Sequence, residues 1–225
     1  MFSLIAALPT SAAVADNYCV PGLKPALFRL LYTEAQACRV CPDLADKTAV
    51  LSDLNGSLEP KVFFIGEAPG RVGADRTRRP FYGDKSGANF QILLDSIGLS
   101  RNDIFATSAV MCSPRSITDA NRKPTVREMR NCSSYLKRVL DLIDPPVVAT
   151  LGSVALEAIK TIEDHGLKLK ENAGTVRHWA GRMLVPLYHP SPQVIASQRG
   201  LETQLGHFQV LGRIIQEKNK LLAIS

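Results

Sequence analysis

Acidic, hydroxyl and imidazole side chains stand at or just after short apolar runs of this sequence. Glu67 and Asp84 belong to a glycine- and arginine-rich stretch that follows one such run, Ser108 closes the next, and His189 follows the last. Carboxylates and imidazoles carry acid–base chemistry, and neighbouring arginines suit an anionic substrate. We therefore predict an acid–base pocket. Each residue also has a structural alternative, in which Glu67 is a surface carboxylate, Asp84 a helix cap and His189 a packed strand-end histidine.

Four cysteines form a second candidate set, Cys38, Cys41, Cys112 and Cys132. A Cys-x2-Cys pair holds two thiolates within reach of one metal centre, and two distant single cysteines complete a set of four. Zinc and an iron–sulfur cluster both accept four cysteines, so the spacing leaves the metal open, with unrelated buried thiols as the structural alternative. The fifth cysteine, Cys19, lies outside this set. An odd count of five does not suit a secreted disulfide framework, which would leave one cysteine unpaired.

Four short apolar runs must position these residues, at 62–65, 104–110, 147–151 and 183–187. Helical patterns alternate with them: one spans 25–37 and delivers Cys38, and another follows a Thr125/Glu128 capping box. Buried strands that alternate with helices predict an α/β fold, a three-layer α/β/α arrangement with a central four-stranded parallel sheet. Ligands of such sheets bind beyond the carboxyl ends of the strands, where the polar residues stand.

The 225 residues, 45% of them hydrophobic and 21% charged, suffice for one substantial core. We expect an N-terminal arm over 1–25 and a single domain over 26–225. The net charge of +6 favours a polyanionic partner. No apolar stretch reaches the roughly 18 to 20 residues that span a bilayer. The apolar start ends in Ala13-Val14-Ala15, which is similar to a secretory cleavage site, but it lacks a basic segment and contains Pro9, so we expect a cytoplasmic protein.

Three motifs in a fixed order carry a family resemblance. The stretch 66–70, GEAPG, resembles the first motif of the family-four iron–sulfur uracil-DNA glycosylases, GE(G/A)PG. Its continuation over 73–87, GADRTRRPFYGDKSG, resembles the GxNRTGRxFTGDxSG pattern of family five. His189-Pro190-Ser191 resembles the second motif of both families. The resemblance extends from about Cys38 to Gln216 and makes the chain an intermediate of the two families.

The resemblance implies a uracil-DNA glycosylase fold and a monofunctional enzyme without lyase activity. Such an enzyme flips uracil, and also other deaminated bases such as hypoxanthine, out of DNA and hydrolyses the N-glycosidic bond to leave an abasic site. It also implies a structural [4Fe–4S] cluster on the four cysteines. The interval between Cys112 and Cys132 is longer than usual, so 113–123 must loop out, with Cys19 as a weaker substitute ligand.

The same resemblance implies roles for the site residues. Asp84 activates water and stabilises the cationic sugar, with Glu67 as runner-up, while His189 donates to the developing oxyanion. Phe81 stacks on the base, and the backbone from Gly66 to Ala68 together with Ser108 binds its edge. Family four has an asparagine in place of Ser108, so we expect wider substrate tolerance, whereas Glu67 favours uracil over thymine. The residues expected to contact DNA are Arg76, Arg78, Arg79 and Lys85 at phosphates, and Ser191, Gln193, Gln198 and Arg199 in a loop that enters the minor groove.

Two rival functions belong to other classes. One is an iron–sulfur nucleic-acid-binding protein that keeps the fold without cleaving bases, and the other is a secreted, zinc-stabilised hydrolase. Uracil-containing DNA is the expected partner, a sliding clamp is a further candidate, and a monomer is the default.

Overall fold

A computed structural model describes residues 22–197 and 199–222. Most of the predicted N-terminal arm, Cys19 and Gln198 lie outside these residues. The helices of the described part are α1 (Leu23–Ala37), α2 (Lys85–Asp95), α3 (Val126–Ile143), α4 (Ser153–Ala158), α5 (Leu169–Asn172), α6 (Pro192–Ile195) and α7 (Leu201–Leu222). The strands are β1 (Val62–Gly66), β2 (Ile104–Ser108), β3 (Val147–Leu151), β4 (Arg177–Trp179) and β5 (Arg182–Leu187).

The strands form one sheet in the order β2-β1-β3-β5-β4. The four strands predicted from the sequence, β1, β2, β3 and β5, run parallel. Gly66 stands opposite Ser108, and Leu151 stands opposite Leu187. The carboxyl ends of all four strands therefore meet at one edge of the sheet, which confirms the α/β arrangement.

The predicted count of four strands is wrong, because a fifth strand extends the sheet. β4 pairs antiparallel with β5 across the two-residue turn Ala180-Gly181. Both turn residues have positive φ, 47° and 73°, which is the backbone of a type I′ hairpin. Alanine is unusual at such a position, so the sequence lacks the Asn-Gly signature that marks most of these turns.

Alternate side chains of each strand enter two separate cores. Phe63 and Phe105 face the core beneath α1 and α3, whereas Phe64 faces the core beneath α2 and α7, where it contacts Phe90 and Phe208. All five rings are essentially inaccessible to water. Burial of each ring stabilises the fold by about 1.5–3 kcal/mol. Two apolar faces covered by helices complete the three layers.

Local signals place several helix ends. Thr125 and Glu128 form the predicted capping box at the start of α3. α1 begins at Leu23 rather than at Pro25, inside the predicted arm, because a proline in the first turn of a helix removes no intrahelical hydrogen bond. α1 ends at Ala37 and delivers Cys38 directly after it, as predicted. In the described part of the chain, no helix is long and apolar enough to cross a membrane.

Candidate active site

A cleft of about 910 Å³ opens at the carboxyl edge of the sheet. It is lined by residues from the loops that follow β1, β2, β3 and β5, which is the location predicted for the ligand. The predicted site residues that line it are Glu67, Ala68, Phe81, Asp84, Lys85, Ser108, His189, Ser191, Gln193 and Arg199. The structure thus brings the three candidate acid–base groups into one cavity.

Asp84 is the N-cap of α2, and it also faces the cleft. Its Oδ1 accepts a hydrogen bond of 2.8 Å from the backbone N–H of Gly87. Its Oδ2 lies against Gly73, where a Cβ atom would overlap the carboxylate. Gly70 is close as well, since a Cβ there would stand 3.5 Å from Oδ2. Asp84 is therefore a helix cap, as the structural alternative predicts, and it also lines the cleft.

His189 enters the cleft from the loop after β5. Burial lowers the pKa of its imidazole to about 4, although the negative charge of Asp84 opposes the shift. The ring is therefore neutral at neutral pH and carries one N–H donor. Two side chains hold its loop: Asn89 Nδ2 donates to the Pro190 carbonyl at 2.9 Å, and Gln204 Nε2 donates to the His189 carbonyl at 3.5 Å.

Phe81 lies between the sheet and the cleft. Its ring packs on Gly66 so closely that a Cβ there would overlap the ring, and its centroid is 5.9 Å from that of His189 and 4.7 Å from that of Phe90. Phe81 has a positive φ of 51°, a conformation that most side chains avoid. The Arg101 guanidinium donates to the Phe81 carbonyl at 2.6 Å and thereby stabilises that backbone.

The edge of the sheet supplies backbone and hydroxyl groups beside Phe81. Ser108 is 8% exposed and lies level with Gly66 on the adjacent strand. The loop after β1 is tied to the loop after β2, since the Val110 N–H donates to the Glu67 carbonyl at 3.1 Å. Burial raises the pKa of the Glu67 carboxyl, partly offset by the charge of Lys123. Glu67 is therefore more easily protonated than an exposed glutamate.

The arginines of the 73–87 stretch differ in what they contact. Arg78 turns inward: it donates to the carbonyls of Thr48 and Ala49 at 3.0 and 2.6 Å and pairs with Asp75 at 3.2 Å. Its charge also opposes the rise in the pKa of Cys112. A phosphate contact by Arg78 would require these hydrogen bonds to break.

The four other predicted cations are Arg76, Arg79, Lys85 and Arg199. Arg76 bonds the Val72 carbonyl at 2.9 Å, Arg79 covers the Tyr82 ring at 4.8 Å, and Arg199 covers the Tyr188 ring at 5.1 Å. Arg199 and Lys85 line the cleft, whereas Arg76 and Arg79 lie outside its lining.

The four cysteines line one small pocket together with Ala35, Leu44, Met111, Asn131 and Tyr135. Donors face two of the sulfur atoms: Asn131 Nδ2 lies 3.3 Å from Cys41 Sγ, and the Met111 backbone hydrogen-bonds Cys132. N–H donors around thiols suit thiolate ligands, whose charge they stabilise. Among the described residues, no group of three or more His, Cys, Asp or Glu side chains is arranged to hold a metal ion.

The pKa values of the thiols reflect their convergence. Burial, followed by repulsion from the neighbouring cysteines, raises the pKa of Cys112 to about 12 and that of Cys132 to about 11. The long interval before Cys132 folds into a hairpin over 114–122, so Cys132 reaches the shared pocket. The four cysteines therefore share one pocket, although their side chains are not arranged around a metal ion in this structure.

Several residues at the site were not predicted from the sequence. Arg101 fixes Phe81, and Asn89 and Gln204 hold the loop of His189. Each acts through a contact 15 or more residues away in the chain, and no local spacing marks such a contact. Asn121, Arg122 and Lys123 also line the cleft. The only signal for them was the long interval between Cys112 and Cys132.

Comparison with known proteins adds independent evidence. Residues 55–208 match the model of the uracil DNA glycosylase superfamily. A type-4 uracil-DNA glycosylase of Thermotoga maritima is 30% identical over 73% of this chain and 82% of its own length. Another, of Archaeoglobus fulgidus, is 30% identical over 84% of this chain and 94% of its own. A type-5 uracil-DNA glycosylase of Pyrobaculum aerophilum is 35% identical over 61% of this chain and 64% of its own.

Proposed function

The chain belongs to the uracil DNA glycosylase superfamily, and we propose that it excises uracil from DNA by hydrolysing the N-glycosidic bond. One observation carries the proposal: Asp84 and a neutral His189 face one cleft beside the ring of Phe81. Cleavage of this bond places positive charge on the sugar and negative charge on the base. A carboxylate and a neutral N–H donor stabilise those two charges.

The target nucleotide has to leave the base stack before it reaches the cleft. Unstacking costs a few kcal/mol, and a mismatched U·G pair lowers that cost. The flipped base stacks on Phe81, whose position Arg101 fixes. The backbone from Gly66 to Ala68 and the Ser108 hydroxyl bind its edge.

Asp84 Oδ2 orients or deprotonates the attacking water and faces the cationic sugar, while Oδ1 remains bonded to α2. As the bond between the sugar carbon and the base nitrogen breaks, its electron pair moves onto the base. The His189 N–H donates to the oxygen that gains this charge. Water then adds to the sugar carbon and loses its proton, which leaves an abasic site. Glu67 is the runner-up for activating the water.

Ser108 and Glu67 set the substrate range in opposite directions. A serine hydroxyl donates or accepts and occupies little space, so it tolerates bases other than uracil, including hypoxanthine. The Glu67 carboxyl, as the resemblance to family four implies, excludes the methyl group of thymine.

DNA outside the cleft contacts cationic and polar residues around the mouth. Lys85, Ser191, Gln193 and Arg199 line the cleft itself, and Arg76 and Arg79 stand farther out. Phosphate contacts of this kind set affinity and salt dependence and carry no information about the base.

The four cysteines hold a [4Fe–4S] cluster in this proposal. The shared pocket and the N–H donors to Cys41 and Cys132 support it. The cluster joins the end of α1 to α3 and to the loop after β2, and it takes no part in the reaction. Three narrower expectations stay predictions of the sequence: a monomer, a cytoplasmic location and a sliding-clamp partner.

The test is alkali-revealed cleavage of labelled duplexes that carry U·G, U·A, hypoxanthine·T or T·G. We expect cleavage at U·G and U·A, weaker cleavage at hypoxanthine, and none at T·G. Strand breaks should appear only after alkali, because the enzyme has no lyase activity. Binding to every duplex without cleavage of any would contradict the proposal and favour the non-catalytic binding protein.

A further inference from the structure

Residues 114–122 form a compact hairpin beside the cleft, which we call the mouth hairpin. Arg115 and Asn121 pair as an antiparallel bridge at its base. The Ser116 N–H donates to the Ala120 carbonyl at 2.8 Å, and the Ser116 hydroxyl accepts from the Thr118 and Ala120 backbone N–H groups, both at 3.3 Å. The turn is therefore ordered by its own hydrogen bonds.

The mouth hairpin is braced against the loop that carries the cleft wall after β1. Arg115 forms an ion pair with Asp75, and Asn121 Oδ1 accepts from the Arg71 N–H at 2.9 Å. Arg115 also pairs with Asp119, at 2.7 Å. At the other end, Arg122 makes a two-pronged ion pair with Glu128, which is 4% exposed. Partly buried, charge-assisted hydrogen bonds to Asp75 and Glu128 hold the hairpin in one position.

An apolar side chain stands at the tip of this braced element. Ile117 is fully exposed, with a relative accessibility of 106%. Single exposed aliphatic residues are ordinary, but this one stands at the tip of a hairpin that ion pairs and hydrogen bonds hold beside the cleft. Val72, half exposed at the cleft lining, lies on the loop to which the hairpin is bonded. Two exposed apolar side chains are thus carried by one rigid unit.

The mouth hairpin stands at the rim of the cleft. Pro114, Asn121, Arg122 and Lys123 line the cleft, and the loop with Ser191 and Arg199 lines it as well. Ile117 is three residues from Pro114 and therefore within about 11 Å of the lining. A duplex that delivers a nucleotide into the cleft has to lie across this mouth.

We propose that the mouth hairpin is a second DNA-contacting element and that Ile117 packs against base faces exposed beside the extruded nucleotide. The proposal rests on the proposed function, since the flipped nucleotide determines where the duplex lies. Apolar side chains at loop tips commonly occupy base steps that an enzyme opens, because the opened step exposes apolar base surface. The exposed Lys123 beside the hairpin base favours the same polyanionic partner.

The test is binding of Ile117→Ser to a duplex with a tetrahydrofuran abasic-site analogue, measured by fluorescence anisotropy. We expect the Kd to rise about tenfold, the factor for losing the burial of one aliphatic side chain. Ile117→Leu should restore the affinity. Leu30→Ser removes an aliphatic side chain that is 70% exposed on α1, away from the cleft lining, and should leave the Kd unchanged. The Ile117→Ser change should not alter the affinity for the matching single strand, because a single strand has no opened base step.

Two results would overturn the inference: an unchanged duplex Kd for Ile117→Ser, or an equal loss for duplex and single strand. The analogue has no glycosidic bond to a base, so the result does not depend on catalysis. A wild-type protein that excises no uracil but binds the analogue through Ile117 would refute the proposed function alone. Normal excision with no effect of Ile117 would refute the hairpin alone.

Discussion

In the proposed function, Asp84 performs two tasks with the two oxygens of one carboxylate. Oδ1 caps α2 through the Gly87 N–H, Oδ2 lies against Gly73, and the residue lines the cleft. The cap therefore fixes the orientation of Oδ2, the oxygen proposed to act on the water, since rotation of the carboxylate would break the hydrogen bond. This coupling explains why glycine stands at position 73, where a side chain would displace Oδ2.

Gly73→Ala tests this arrangement without changing a charged group. The added Cβ would overlap the Asp84 carboxylate, and a displacement of about 1 Å at a reacting group lowers a rate by about a hundredfold. We expect such a loss in the single-turnover rate of uracil excision. Gly206→Ala is the matched control, because its Cβ meets no atom within 4 Å and α7 tolerates alanine. Equal rates for the two variants would contradict the arrangement.

Burial of His189 makes the stability of the fold depend on pH. The pKa of the His189 imidazole is about 4 in the folded chain and about 6.5 in the unfolded chain. Between these pH values the imidazole binds a proton only in the unfolded chain. The free energy of unfolding therefore does not depend on this group above pH 6.5. It falls by about 3 kcal/mol as the pH drops from 6.5 towards 4. Urea unfolding from pH 7 to 4 should show a steeper decline for the wild type than for His189→Asn. Parallel curves would show that the imidazole is not buried in this way.

At the scale of elements, the site depends on loops held by distant side chains. The loop after β5 is fixed by Asn89 on α2 and Gln204 on α7, which both donate to its carbonyls. These two helices cover the same face of the sheet and pack against each other through Phe90 and Phe208. Packing in that layer therefore determines where His189 stands.

Asn89→Ala tests the contribution of α2 to this loop. Loss of the 2.9 Å hydrogen bond to the Pro190 carbonyl should lower kcat/KM by about threefold to tenfold. Thr33→Ala is the control, because it removes a side-chain hydrogen bond to a carbonyl on α1, away from the cleft lining. If both variants retain the wild-type kcat/KM, the loop holds its position without Asn89.

Elements with local signals were predictable from the sequence, and elements set by distant contacts were not. β3 has its predicted bounds, and the Thr125/Glu128 box opens α3, because burial and capping leave marks in neighbouring residues. β4 was missed because its turn uses alanine at positive φ. The sequence predicts a phosphate contact for Arg78 from its charge. The hydrogen bond that Arg78 donates to the Ala49 carbonyl leaves no mark in the sequence, because the two residues are far apart in the chain.

At the scale of the whole molecule, the cleft and the cysteine pocket are two separate parts of the fold. The cleft lies at the carboxyl edge of the sheet, and the cysteine pocket joins α1, α3 and the loop after β2. Arg78 connects them, because its guanidinium bonds the Ala49 carbonyl while its charge reaches Cys112. A bound cluster would therefore stabilise the segment that carries Asp84 without taking part in the reaction.

Cys38→Ser tests the cluster. We expect loss of the brown colour and a fall in Tm of about 5–10 °C, because metal binding contributes to folding. Cys19→Ser, which changes a cysteine outside the proposed ligand set, should keep both the colour and the Tm. A colourless wild-type protein that contains zinc would contradict the iron–sulfur assignment.

The most direct test of the account is the single-turnover rate of uracil excision from a U·G duplex by Asp84→Asn. Asparagine is as good an N-cap as aspartate, so α2 and the Tm should be retained. It lacks the charge that activates water and stabilises the sugar cation. We expect a rate at least about a hundredfold below the wild type. A folded Asp84→Asn variant that excises uracil within about twofold of the wild-type rate would contradict the assignment of Asp84 as the catalytic carboxylate.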